Sequence, residues 1–165
     1  MSADSDAISK LFDEVSLGAP ERAVGFVLWR VLHHYVREVN RALADLELTH
    51  LQFQTLALTA WLGRKGAPAS QAEIARAGDI QKMQISNMMK ALEQRGLITR
   101  PRSSTDERAR SVAVTTAGLV ALHAALPRVI DVQRRLFGEE GMPGGHLLQA
   151  LLRTEQRTAG DDESR

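Results

Sequence analysis

The 165-residue chain predicts a mainly α fold carrying one small β-hairpin. Three observations point there. Long stretches repeat apolar side chains every three or four positions, the period of one helical face. Only two short runs, Leu97-Ile98-Thr99 and Ser111-Val112-Ala113-Val114-Thr115, read as strands, with a polar turn from Pro101 to Arg110 between them. Two capping boxes, Thr49 with Gln52 and Ser70 with Glu73, each open a helical segment.

Composition removes several classes of function. The chain has no cysteine, so there is no disulfide framework, thiol nucleophile or Cys-based zinc site. Aromatic residues are only 4%, too few for base stacking to be the main mode of recognition. The opening Met1-Ser-Ala-Asp-Ser-Asp-Ala-Ile-Ser-Lys10 lacks the basic-then-apolar signature of a signal peptide, and no apolar run approaches membrane-spanning length. A cytoplasmic protein without membrane contact is expected. There is no internal repeat.

In chain order, residues 1–18 form an arm or short helix with Ile8, Leu11, Phe12 and Val15 in register, broken by Gly18 and Pro20. Residues 19–48 read as one long amphipathic helix, with Val24, Leu28, Val31, Leu32, Tyr35, Val39, Leu43 and Leu46 on its apolar side. The Thr49 box opens a helix through Phe53, Leu56 and Ala60 that Gly63 closes; the Ser70 box opens a short helix ending near Gly78. The stretch Ile80–Gly96 then forms a longer helix, with Met83, Ile85, Met88, Met89 and Leu92 apolar and Lys82, Gln84, Ser86, Asn87 and Lys90 on a polar, amide-rich side. Met88 and Met89 are expected in the core, Met83 partly exposed. A short helix, a Gly-containing turn, a longer helix and a hairpin make a winged helix-turn-helix over 49–115.

Residues 116–157 hold two further helices. The first runs to about Phe137 with Leu119, Leu126, Val129, Ile130, Val132 and Leu136, and Pro127 is expected to kink or restart it. After the break at Gly141–Gly145, His146 to about Thr154 forms the last helix, and 158–165 is expected to be a disordered tail.

Charge is concentrated. From Gln81 to Arg110 there are seven basic residues against three acidic ones, a surplus of four on a chain whose net charge is +1. A local basic window on a near-neutral chain points to a polyanion.

The run Leu92-Glu-Gln-Arg-Gly-Leu-Ile-Thr-Arg100, then Asp106-Glu-Arg108 and Val114-Thr-Thr-Ala-Gly118, resembles the multiple-antibiotic-resistance-regulator (MarR) family of winged-helix transcription factors. Val114 stands where that family usually has Leu. The resemblance covers about residues 20–155. It implies a homodimer built by the helix at 19–48 and the helices at 116–157, reading a palindromic site on double-stranded DNA with half-sites about one turn apart.

On that frame Gln84 and Asn87 are candidates for reading adenine edges, Ser86 for a phosphate or base, and Met83 for a thymine methyl. Lys82, Lys90 and Arg100 are candidates for neutralising phosphates. The resemblance puts Arg108 into the minor groove, with Asp106 bracing the wing and Arg110 assisting. It also suggests a pocket for a small aromatic or acidic effector, with Trp29, Arg30, His33 and Trp61 as candidates. His33 and His34 are adjacent on a helix and point apart, so no metal site is expected, and no cofactor. No Gly-rich phosphate loop, nucleophile elbow or paired catalytic carboxylates appear, so the chain does not read as an enzyme. The expected function is an effector-responsive repressor. The alternative, a winged helix that binds protein rather than DNA, sits poorly with the basic window and Arg108.

Overall fold

The computed structural model describes residues 4–100 and 111–162. These fall into two units, one up to Glu38 and one from Val39 onward.

The first unit holds helix α1 (Ser5–Val15), capped by Asp4, a 3-10 turn at Pro20–Arg22, and most of helix α2 (Val24–Ala42). The helix expected over 19–48 is therefore shorter at both ends. Pro20 opens a separate turn rather than the helix, and Ala44–Leu46 forms a second 3-10 turn. α1 has no buried residue, and within α2 only Val39 is buried.

The second unit carries the core. Helix α3 (His50–Gly63) buries Phe53, Thr55, Leu56 and Thr59 and packs against the elements described next. Its buried hydroxyls are satisfied locally: Thr55 donates to Leu51 O at 2.8 Å and Thr59 to Thr55 O at 2.7 Å. Both expected capping boxes form, at Thr49 and at Ser70, which opens helix α4 (Gln71–Ala77). Helix α5 (Lys82–Gln94) follows, with Ile85, Met89 and Leu92 buried against α3.

The hairpin joins strand β2 (Ile98–Thr99) to strand β3 (Ser111–Val114), paired Ile98 to Val114 and Thr99 to Ala113. A strand absent from the sequence reading, β1 (Ala69–Ser70), completes an antiparallel sheet of order β1-β3-β2. It is two residues long, and Ser70 also caps α4, so its polar signal reads as a helix start.

Helix α6 (Thr116–Phe137) runs unbroken past Pro127. The proline does not restart it, because Leu122 and Ala125 before it and Val129 and Val132 after it are all buried, and that packing offsets a cost of about 3 kcal/mol. The apolar residues divide differently from the expectation: Leu119, Leu126 and Ile130 are exposed, and Leu122 and Ala125 face the core. Helix α7 (His146–Asp162) continues through most of the expected tail.

Three helix ends in this unit share one geometry. At Leu43–Leu48, Ala75–Ile80 and Leu92–Leu97, an amide bonds back five residues to a carbonyl, and a left-handed residue sits just before it. The left-handed residues are Glu47 (φ 53°), Asp79 (φ 47°) and Gly96 (φ 68°). Gly78 is thus not the left-handed residue of the α4–α5 turn; a Cβ there would meet Leu58 Cδ1 at 2.7 Å, so it is needed for close packing on α3.

Two outcomes test this packing. A Cβ at Gly118 would lie 2.1 Å from the Leu97 carbonyl oxygen and 2.7 Å from Val114 Cγ1. Gly118→Ala should therefore destabilise the fold by about 1–3 kcal/mol, read as a lower urea midpoint; an unchanged midpoint would show that the strand backbone yields freely. The Glu73 carboxylate accepts the Ser70 amide at 2.7 Å and the Ser70 hydroxyl at 2.8 Å, bonds that hold its pKa below the usual value. A depressed folded pKa stabilises the fold above the unfolded pKa of about 4.3 and stops doing so as pH falls through the folded value. The thermal midpoint gap between wild type and Glu73→Gln should accordingly shrink on acidification below that range. A gap independent of pH would contradict the assignment.

Candidate nucleic-acid interface

The periodicity of α5 divides it into two faces. Ile85, Met89 and Leu92 are held in the core, so the positions between them must project outward. Lys82, Gln84, Ser86, Asn87 and Lys90 are all exposed, the face that the sequence predicts to be polar. Met83 joins them at 77% exposure and leaves the apolar face, while Met88 is half-buried rather than core.

No side chain caps the N-terminus of α5, so the amides of its first turn are open to an anionic partner, with Lys82 beside them. An open groove of about 640 Å³ runs between α4 and α5. Its polar lining includes Gln71, Arg76, Asp79, Lys82 and Ser86. Gln71 and Arg76 are absent from the sequence reading; their signal is only that Gln71 follows the Ser70 cap and Arg76 lies on the last turn of the same helix.

Arg100 is placed differently from the two lysines. Its Nε donates to Glu93 Oε2 at 2.9 Å and a terminal nitrogen contacts the same oxygen, with the side chain 19% exposed. The Glu93 carboxylate raises its pKa further. Arg100 thus ties β2 back to α5. Lys82 and Lys90 have no such partner among the described residues.

A model of the MarR family matches residues 48–109. YdcH of Bacillus subtilis strain 168, an uncharacterized HTH-type transcriptional regulator, is 31% identical over 140 residues, spanning 82% of this chain and 94% of its own. The chain belongs to the MarR family. Its fold also matches CouR of Rhodococcus jostii RHA1 bound to p-coumaroyl-CoA, with TM-score 0.71 and 28% identity over 86% of this chain and 94% of that one. The transcriptional repressor CouR bound to a 23-mer DNA duplex matches with TM-score 0.68 and 27% identity, over 88% and 99%. As a MarR-family member the chain is a DNA-binding transcriptional regulator. Among the described residues no helix is long and apolar enough to cross a membrane.

The wing candidates, Arg108 and Arg110 as contacts and Asp106 as a brace, lie outside the described residues. The effector candidates divide between the two units. On α2, Trp29 is 57% exposed, its ring centroid 4.5 Å from His33 and 6.2 Å from Phe26. Arg30 lies over Phe26 at 5.8 Å, and His33 Nδ1 is 2.7 Å from the Trp29 carbonyl. Three of the four candidates thus share one exposed aromatic cluster. The fourth, Trp61 at the end of α3, is also exposed and stacks with Arg64, whose guanidinium lies 3.5 Å from its ring centroid. No group of three or more His, Asp or Glu able to hold a metal occurs among the described residues.

Proposed function

We propose that the chain acts as a homodimeric, effector-responsive repressor that reads a palindromic operator with α5, and that it is not an enzyme. The observation that carries the reading is the division of α5. One side is locked into the core by Ile85, Met89 and Leu92, and the other presents Gln84, Ser86, Asn87 and two lysines together. Gln84 and Asn87 supply paired amide donors and acceptors suited to adenine edges, and Met83 an apolar contact for a thymine methyl. Lys82 and Lys90 neutralise phosphates, and Arg108 of the wing enters the minor groove. The CouR complex with duplex DNA, at 27% identity, supports this use of the fold.

Regulation follows from spacing. Two recognition helices on one duplex face must be held about one helical turn apart, so a ligand that prefers another separation lowers the population able to bind. CouR carries p-coumaroyl-CoA. The exposed Trp29–His33 cluster with Arg30 in the first unit and, separately, the Trp61–Arg64 stack in the second each offer an aromatic face beside a guanidinium, which suits an aromatic acid whose carboxylate the guanidinium meets.

The test is a binding titration of the purified protein against duplexes from its own upstream region, at several salt concentrations. Wild type should prefer one palindromic segment over a scrambled duplex. Lys82→Ala and Lys90→Ala should each lower the salt slope by about one. Arg108→Ala should weaken binding, and Arg100→Ala should leave the slope unchanged because Glu93 already holds that guanidinium. Equal affinity for every duplex would end the operator reading. Indifference to DNA at low salt would favour a protein-binding winged helix instead.

A further inference from the structure

Two guanidinium groups from different helices converge on one short turn. Arg95, at the C-terminal end of α5, donates from Nη1 to the Glu47 carbonyl at 2.5 Å and from Nη2 to the Leu46 carbonyl at 2.9 Å. It also pairs with the Glu47 carboxylate at 3.7 Å. Arg128, in the middle of α6, donates from Nη1 to the Ala42 carbonyl at 3.1 Å and to the Asp45 carboxylate. The turn so gripped runs from the end of α2 through the 3-10 turn to the Thr49 cap of α3.

Its carbonyls suit this treatment. Ala42, Leu46 and Glu47 lie at or just past helical C-termini, where carbonyls lack intrahelical donors and the helix dipole favours positive charge. Glu47 is held left-handed at φ 53°, a conformation costly to a residue with a Cβ, so something else must hold the turn in place. Leu43 and Leu48, both buried, anchor it from below, and the two arginines hold its polar side. Asp45 responds electrostatically: the Arg128 hydrogen bond holds its pKa below the ordinary carboxylate value.

We propose that Arg95 and Arg128 are positioning residues for DNA reading: together they clamp the 42–47 turn and thereby fix the attitude of α5 relative to α6. The inference rests on the reading of α5 as the DNA-contacting helix in a dimer. It deepens that reading by assigning two arginines to a role other than phosphate contact. Arg95 belongs by charge to the basic window, yet both of its terminal nitrogens are spent on protein carbonyls. A change in α6, where the dimer would be built, thus has a route to α5 through the six residues of this turn.

The experiment compares wild type, Arg95→Ala, Arg128→Ala and the double variant for affinity to the preferred operator, to a scrambled duplex, and to operators with one or two base pairs inserted between half-sites. Each single variant should lose about tenfold in operator affinity, from the charge-assisted bonds removed. Affinity for scrambled DNA and the salt slope should hold, and inserted base pairs should be better tolerated. The double variant should fall well short of the hundredfold product, because both residues hold one turn. Arg95→Lys and Arg128→Lys serve where the Ala variants do not fold; an ammonium cannot reproduce the two-carbonyl fork of Arg95, so Arg95→Lys should lose affinity in part, and Arg128→Lys should lose less because Arg128 bonds through one nitrogen. A salt slope lowered by about one in Arg95→Ala would make Arg95 a phosphate contact and overturn the proposal. So would full additivity, or operator affinity unchanged in all the arginine variants. If wild type itself shows no operator preference, the functional reading fails first and the clamp with it; if wild type discriminates and the variants match it, only the clamp fails.

Discussion

The corner at Arg95-Gly96-Leu97 is the constraint on which the DNA-binding unit depends. There α5 ends, the hairpin begins, and the start of α6 is tied in. Gly96 adopts φ 68°, and its carbonyl accepts the Thr115 hydroxyl at 2.6 Å. The same hydroxyl accepts the Gly118 amide at 3.0 Å, and the Thr115 amide donates to the Leu97 carbonyl at 3.1 Å. One threonine thus caps α6 and staples it to the end of α5. The spacing Thr115-Thr-Ala-Gly118 follows from this: the cap sits three residues before a position that has no room for a side chain against the Leu97 carbonyl. What makes the motif specific is the meeting of three elements within a few ångströms.

How much of this was legible in the residues depends on whether the cause is local. Both capping boxes are readable because donor and acceptor lie within four residues. Gly96 is readable as a stop because glycine advertises its left-handed conformation. Glu47 and Asp79 perform the same turn and are not readable, since neither residue type announces it. In their case the buried Leu48 and Ile80 just beyond the turn draw the chain into that geometry. Periodicity identifies α6 as a helix but cannot say which of two apolar stripes faces inward. The core took Leu122, Ala125, Val129 and Val132, and left Leu119, Leu126 and Ile130 outside.

That second stripe bears on assembly. Within its own unit, α6 has satisfied its core and still presents apolar side chains, and α7 adds Leu151 and Leu152. In the other unit, Val24, Phe26, Leu28, Trp29, Val31 and Leu32 are exposed along α2. A helix with one wet face needs only one apolar stripe; a second one signals a surface that a partner covers. Under the proposed dimer the two stripes of α6 divide the work. The inner one builds the DNA-binding core and the outer one faces the second copy, so a shift in either is felt by the other through a rigid helix.

The same separation of roles governs the positive charges, and here a count of charges could not succeed. Lys82, Lys90, Arg95 and Arg100 contribute equally to the basic window, but the structure sorts them by chemistry. Each arginine turns its planar fork to protein acceptors, Arg95 to two carbonyls and Arg100 to one carboxylate. The lysines stay on the exposed face. A guanidinium suits fixed, paired acceptors, whereas an ammonium on a flexible stem suits a phosphate whose position varies with the duplex. In the proposed DNA reading, attraction then resides in groups that salt screens, and geometry in groups that are partly shielded from it. Under the proposed reading, raising ionic strength loosens the grip on DNA while leaving largely intact the angle at which α5 is held.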